Sequence, residues 1–165
     1  MDQVEKAIVQ WRQERPELEL LAMATVARLG ATTRVVGRSF LEPFFKAHDL
    51  QAGEFDVLAT LRRAGAPYAL GPTHLYEALM ISSGGMTNRL DRLERQSLIE
   101  RYPNPKDRRG TLVQLTVQGK KLIDDMIPGH IENENLALSG LSRDEQEQLN
   151  TLLGKLLEHL ESHER

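Results

Sequence analysis

Ser83-Gly84-Gly85-Met86-Thr87-Asn88-Arg89-Leu90-Asp91-Arg92-Leu93-Glu94-Arg95 decides how the chain folds. At about 100° per residue, Met86, Leu90 and Leu93 share one inward face. Asn88, Asp91, Arg92 and Arg95 point outward, and Ser83 and Thr87 flank them near the start. Side chains of these types bond to base edges and phosphates. The free N–H groups at the start of such a helix also favour a phosphate. Upstream, Thr73 reads as the N-cap of a short helix over about 73–80, with Glu77 in the turn beyond. A turn around Met80-Ile81-Ser82 leads into the second helix, over about 83–96, and Gln96-Ser97 ends it. A short helix, a tight turn and an amphipathic second helix compose a helix-turn-helix. In that motif the N-terminal residues of the second helix, here with Ser82 just before it, reach into the major groove.

The period then changes from helical to alternating. Leu98-Ile99-Glu100-Arg101-Tyr102 and Thr111-Leu112-Val113-Gln114-Leu115-Thr116 read as two strands. The polar loop Pro103-Asn104-Pro105-Lys106-Asp107-Arg108-Arg109-Gly110 joins them, and its prolines and glycine forbid a continuous strand. It is long for a hairpin and projects as a wing with Lys106, Arg108 and Arg109 at its tip. Arg109 beside Gly110 suits a narrow minor groove, whose negative potential attracts arginine. Asp107 is expected to pair with a neighbouring arginine and hold the tip in shape.

Charge follows the same division. The 165-residue chain carries 21 Lys+Arg and 24 Asp+Glu, a net −3, which taken alone argues against a nucleic-acid partner. Residues 82–110 contain seven basic and four acidic side chains, a local +3, so the remainder carries −6. An acidic body with a basic reading face is compatible with DNA binding.

Helices flank this block on both sides. Val4, Ala7, Ile8 and Trp11 mark a first helix over about 2–14. Leu18 to Phe44 continue the pattern across about 17–47, with Pro43 set to kink or break it. His48 to Ala52 read as a loop, and 51–64 as a helix with Phe55, Leu58, Ala59 and Leu61 inward. Helices over about 118–136 and 143–161 close the chain. The fold class is mainly α with a small β-hairpin wing.

Composition removes other functions. There is no cysteine, which excludes disulfides, thiolate zinc sites and thiol-based sensing. No apolar run approaches the roughly 20 residues that span a bilayer, so no membrane association is expected. The charged N-terminal stretch does not read as a signal peptide, so a cytoplasmic location is expected. No nucleophile–base order, metal cluster or glycine-rich phosphate loop is visible; neither catalysis nor a cofactor is expected. His159 and His163 stand at i, i+4, but two ligands are too few for a metal site.

The block from Leu70 through Gly119 resembles the MarR family of bacterial transcriptional regulators. The matching residues are Ser83 through Glu94, Leu98-Ile99-Glu100-Arg101, Asp107-Arg108-Arg109-Gly110 and Leu115-Thr116-Val117-Gln118-Gly119. The resemblance implies a single domain over 1–165, with a winged helix-turn-helix lobe at 51–116. Helices in 1–47 and 118–165 would form a homodimer. It also implies binding to a pseudo-palindromic operator in double-stranded DNA, usually as a repressor released by a small ligand. The six leucines from Leu149 to Leu160 agree with a dimer, since they exceed what one face of a small monomer easily covers. The alternative is packing within the chain against 17–47.

Three residues resemble a ligand pocket of the urate-responsive branch of that family. That branch carries an added N-terminal helix with a tryptophan, together with an aspartate and arginines. Trp11, Asp56 and Arg89 match it, with Arg63 as a looser fourth member. Helical register places Asp56 partly inside and Arg89 closer to the inner face than Arg92 or Arg95, so the two are candidates for an ion pair. A planar anionic purine such as urate fits: tryptophan stacks it and arginine pairs with its charge. The alternatives are a purely structural role for these residues, a phenolic or lipophilic effector, or a winged helix used only for protein contacts.

Overall fold

The computed structural model describes residues 1–79, 83–105 and 110–163. Elements follow the order α1 (Gln3–Glu14), α2 (Leu21–Val36), a π-helical segment (Gly37–Leu41), α3 (Glu42–Lys46), α4 (Ala52–Arg63), β1 (Ala69–Leu70), α5 (Pro72–Leu79), α6 (Ser83–Arg95), β2 (Ile99–Pro103), β3 (Thr111–Leu115), α7 (Val117–Ala137) and α8 (Arg143–His163). The chain divides into two compact units, Met1–Phe55 and Asp56–Arg165.

In the first unit α1 packs on α2. Ile8, Leu20 and Ala24 form the buried cluster, with Val4 against it. Asp2 caps α1 by accepting the Glu5 N–H. Arg28 of α2 fastens the same end, with Nε 3.0 Å from Asp2 and Nη2 2.8 Å from Glu5. The single run expected over 17–47 is broken in the structure. Pro43 has no N–H to donate one turn back. Just ahead of it the helix widens into the π-helical segment, where the Glu42 N–H reaches the Gly37 carbonyl, and Pro43 then sits in the first turn of α3. Phe45 is buried and stacks on Phe55 with ring centroids 4.6 Å apart. Asp49, at φ 57°, turns the chain in the left-handed region that Asp tolerates. Glu54 is fully buried, and its carboxylate accepts the Gln51 N–H at 2.8 Å. That is half of a capping box, and it fixes where α4 begins.

The second unit builds its core from Val57, Leu58 and Leu61 of α4, Leu75 of α5, Met86, Leu90 and Leu93 of α6, Ile99, Val113 and Leu115 of the sheet, and Ile123 and Met126 of α7. The inward face expected for α6 is the buried face. The sheet has three antiparallel strands in the order β1-β3-β2. The hairpin pairs Ile99 with Leu115 and Pro103 with Thr111. It gains a third strand absent from the sequence reading: Ala69 and Leu70 pair with Gln114 and Val113. Two residues are too few to show alternation, and β3's other edge recruits them. α5 also starts one residue earlier than expected. Pro72 occupies its first position, where a missing N–H costs nothing, and Leu75 donates to the Gly71 carbonyl. Thr73 therefore lies inside the helix and is not its cap.

Thr116 and Gly119 fasten α7 to the corner between α6 and β2. Thr116 caps α7 by accepting the Gly119 N–H at 2.9 Å. Its hydroxyl also donates to the Ser97 carbonyl at 2.7 Å. Gly119 is buried, and a Cβ there would lie 1.9 Å from the Leu98 carbonyl oxygen. α8 begins at a full capping box. Ser142 N–H donates to Glu145 at 2.7 Å, and Glu145 N–H donates to the Ser142 hydroxyl at 3.3 Å. None of its described residues is buried, and Leu152 and Leu160 are 65% and 53% exposed.

The Gly119 contact yields a stability prediction. Helix propensity alone favours Gly119→Ala by about 1 kcal/mol. The backbone collision should reverse that sign, destabilising the fold by at least about 2 kcal/mol and lowering Tm by about 4–8 °C. A thermal melt showing an unchanged or higher Tm would contradict the packing described.

Candidate nucleic-acid interface

α6 shows two chemically different faces. Met86, Leu90 and Leu93 are buried, while Thr87, Asn88 and Arg95 are exposed and Arg92 is half-buried. Arg95 donates from Nε to the Asp91 carbonyl at 3.1 Å, which lays its stem along the helix. Ser83 opens the helix, and its N–H groups stand at the N-terminal end. Ser82 and the wing-tip residues Lys106, Arg108 and Arg109 lie outside the described residues. The base of the wing is closed by Asn104 N–H donating to the Gly110 carbonyl at 2.8 Å.

Arg101 is one of the seven basic residues of 82–110. The structure gives it two carboxylate partners within the same unit. Its Nη2 lies 2.7 Å from Asp91 Oδ1, its Nε lies 3.0 Å from Glu94 Oε2, and Nη2 also meets that same Glu94 oxygen. Arg101 N–H donates to Glu94 Oε1 at 3.2 Å. Hydrogen bonds from Arg101 hold the Glu94 carboxyl below its usual pKa range, and both carboxylates raise that of Arg101. Asp91 is therefore an internal partner and not a group aimed at DNA. Nothing in helical periodicity signals this pairing, because Glu94 and Arg101 meet across the α6–β2 turn.

Behind α6 lies a charged cluster. Asp56 is on α4, Arg89 on the flank of α6, Arg63 at the end of α4 and His130 on α7. Arg89 is half-buried, as its register predicts. Asp56 is more exposed than expected. Surrounding protein nevertheless raises its pKa by desolvation, against the pull of Arg89 first, then His130 and Arg63. Among the described residues no contact ion pair joins Asp56 to Arg89; the two interact through the field between them. Arg63 Nη2 donates to the Ala78 carbonyl at 3.2 Å, tying α4 to the last turn of α5. His130, which reads in the sequence as a scattered surface histidine, is only 14% exposed, and its Nε2 lies 3.2 Å from the Glu134 carboxylate. Trp11 belongs to the first unit, 45% exposed on α1, where it lines a groove of about 390 Å³ with Val4, Met23 and Val26. His159 and His163 stack their rings near the end of α8. Among the described residues no group of three His, Asp or Glu is placed to hold a metal ion. No helix among them is long and apolar enough to cross a membrane.

A MarR family model matches residues 50–111, from the start of α4 through the wing. The HTH-type transcriptional regulator PecS of Dickeya dadantii (strain 3937) is 42% identical over 158 residues, covering 96% of this chain and 95% of that protein. The chain belongs to the MarR family. It is a MarR-type transcriptional regulator with a DNA-binding winged helix, and members of this family are not enzymes. A mutant MarR from E. coli, solved in complex with operator DNA, superposes with a TM-score of 0.73 at 28% identity, covering 89% of this chain and 97% of that one. BpsR of Bordetella bronchiseptica, whose DNA binding is regulated by 6-hydroxynicotinic acid, superposes with a TM-score of 0.66 at 26% identity, covering 78% and 98%.

The raised Asp56 pKa sets the sign of a pH effect. The folded state holds this proton more tightly than the unfolded chain. Its stabilising contribution is present at low pH and is lost as pH rises through the raised folded value. Asp56→Asn mimics the protonated form. Its Tm should exceed that of the parent at pH 7, and the gap should close toward pH 4. An equal difference at both pH values would show that desolvation of Asp56 is not the cause.

Proposed function

We propose that this regulator is a homodimeric repressor of a pseudo-palindromic operator, released by a small planar anion. In this reading 51–116 forms the DNA-binding lobe, and helices within 1–47 and 118–165 form the dimer. Ser82, Ser83, Thr87, Asn88, Arg92 and Arg95 enter the major groove, and Lys106, Arg108 and Arg109 follow the backbone and minor groove. The protein acts on DNA in the cytoplasm. The exposed leucines of α8 support the dimer, because a soluble monomer rarely leaves so long an apolar stripe in water. Two recognition helices related by a two-fold axis would meet half-sites one DNA turn apart.

The observation that carries the ligand reading is the field between Asp56 and Arg89. Arg89 belongs to α6, so an anion that competes with Asp56 for it acts directly on the recognition helix. Such a ligand shifts the protein toward the state that binds it better. Arg63 adds positive charge around the same carboxylate. The regulation of BpsR by an anionic heteroaromatic acid supports this class of effector. Urate is the compound assigned to this chain, with Asp56, Arg63 and Arg89 as its polar partners. Trp11 is assigned an aromatic role in the ligand response on the strength of the sequence alone.

A gel-shift on the DNA upstream of its own gene, with and without urate, tests the reading. The complex should form at about 0.1 M salt and dissolve as urate is added. Arg89→Ala should keep at least a tenth of the DNA affinity, since Arg89 lies off the outward face, yet lose the urate response. Normal release of that variant by urate would overturn the pocket. Thermal shifts with xanthine and salicylate distinguish a purine effector from a phenolic one.

A further inference from the structure

We propose that Arg101 is a positioning residue for DNA recognition, a clamp that fixes the angle between α6 and the wing strand β2 and contacts no phosphate. The proposal rests on the reading that α6 enters the major groove. β2 is an edge strand of the sheet, and α6 joins it through the short turn Gln96-Ser97-Leu98. Glu94 takes both the Arg101 guanidinium and its backbone N–H, at 3.0 Å and 3.2 Å. That N–H points away from β3 and would otherwise be left at an open sheet edge. Asp91, one turn earlier on α6, takes Nη2 at 2.7 Å.

The planar guanidinium thus bonds two carboxylates spaced i, i+3 on the helix while its own backbone is bonded to one of them. One strand residue holds two points along α6. The fork geometry is what a lysine cannot reproduce. The arrangement also consumes the charge of Arg101, since two carboxylates face one guanidinium. The side chain is therefore poorly suited to neutralise a phosphate, although its place on the basic face suggests that role.

A phosphate contact and a positioning clamp differ in salt dependence. Each neutralised phosphate contributes about 0.9 to the slope of log Kobs against log salt, and its loss flattens the slope by that amount. A clamp lowers affinity at every salt concentration and leaves the slope alone. Fluorescence anisotropy of the full chain on the duplex upstream of its own gene, from about 50 to 300 mM salt, separates the two. Arg101→Gln should weaken binding about tenfold or more with the slope of the parent, and should melt within about 4 °C of it. Arg95→Gln, the comparator on the open face, should flatten the slope by about 0.9. Arg101→Lys should stay near the glutamine variant.

Should Arg101→Gln fail to fold, D91A/E94A puts the same question from the other side. It removes two negative charges beside the DNA and should still bind at least about threefold more weakly than the parent. Tighter binding by D91A/E94A would overturn the clamp, as would a slope flattened by about 0.9 or undiminished affinity in Arg101→Gln. A parent chain that binds no duplex overturns the reading of α6 itself. Parent binding with any of those variant results leaves that reading intact and removes only the clamp.

Discussion

The contact on which the second unit depends is the approach of Gly119 to the Leu98 carbonyl. α7 can start where it does only because no side chain stands at that position. The Thr116 hydroxyl serves the same corner twice, capping α7 and bonding the carbonyl of Ser97. Leu98 is buried there between the end of α6 and the start of β2. The recognition helix, the wing and the long helix α7 are therefore joined at one point. Leu93, Ile99 and Ile123 are fully or almost fully buried beside this joint, and close-packed interiors of that kind resist gradual deformation.

Electrostatics in this unit works at two levels. On the outer side of α6, Arg101 is held by Asp91 and Glu94, whereas Arg95 is exposed to solvent. At the inner flank, Arg89 feels Asp56 without touching it. A pair bound at contact distance would be expensive to separate once desolvated. Partly exposed charges interacting through a field are open to competition from a third charge. The absence of cysteine excludes thiol chemistry from any response.

Much of this architecture was legible in the sequence because its signals are local. The buried face of α6 followed from Met86, Leu90 and Leu93, and the hairpin from alternation on either side of a proline-rich loop. The features that escaped depend on partners distant along the chain. β1 is two residues of ordinary composition that become a strand because β3 has an edge to fill. Thr73 looked like a cap, but Pro72 fits the first helical position better and moved the boundary. Arg101 enters the sequence only as one of seven basic residues in 82–110, and the two carboxylates that hold it are brought there by tertiary contacts. Asp56 could be assigned to a face of α4, whereas its actual exposure depends on how neighbouring elements cover that face. The capping box at Ser142–Glu145 has the Ser-x-x-Glu spacing that marks a helix start, whereas Gln51–Glu54 lacks the hydroxyl and shows itself only in the fold.

The central claim is that two copies of this chain present α6 and the wing to one DNA site. Hydroxyl-radical and dimethyl-sulfate footprinting of the protein on the DNA upstream of its own gene addresses it most directly. The account predicts two protected major-groove patches with their centres about 10 base pairs apart, or a multiple of that, related by an approximate dyad. Minor-groove protection should flank each patch where the wings lie. A single protected patch, or protection without minor-groove flanks, would contradict it.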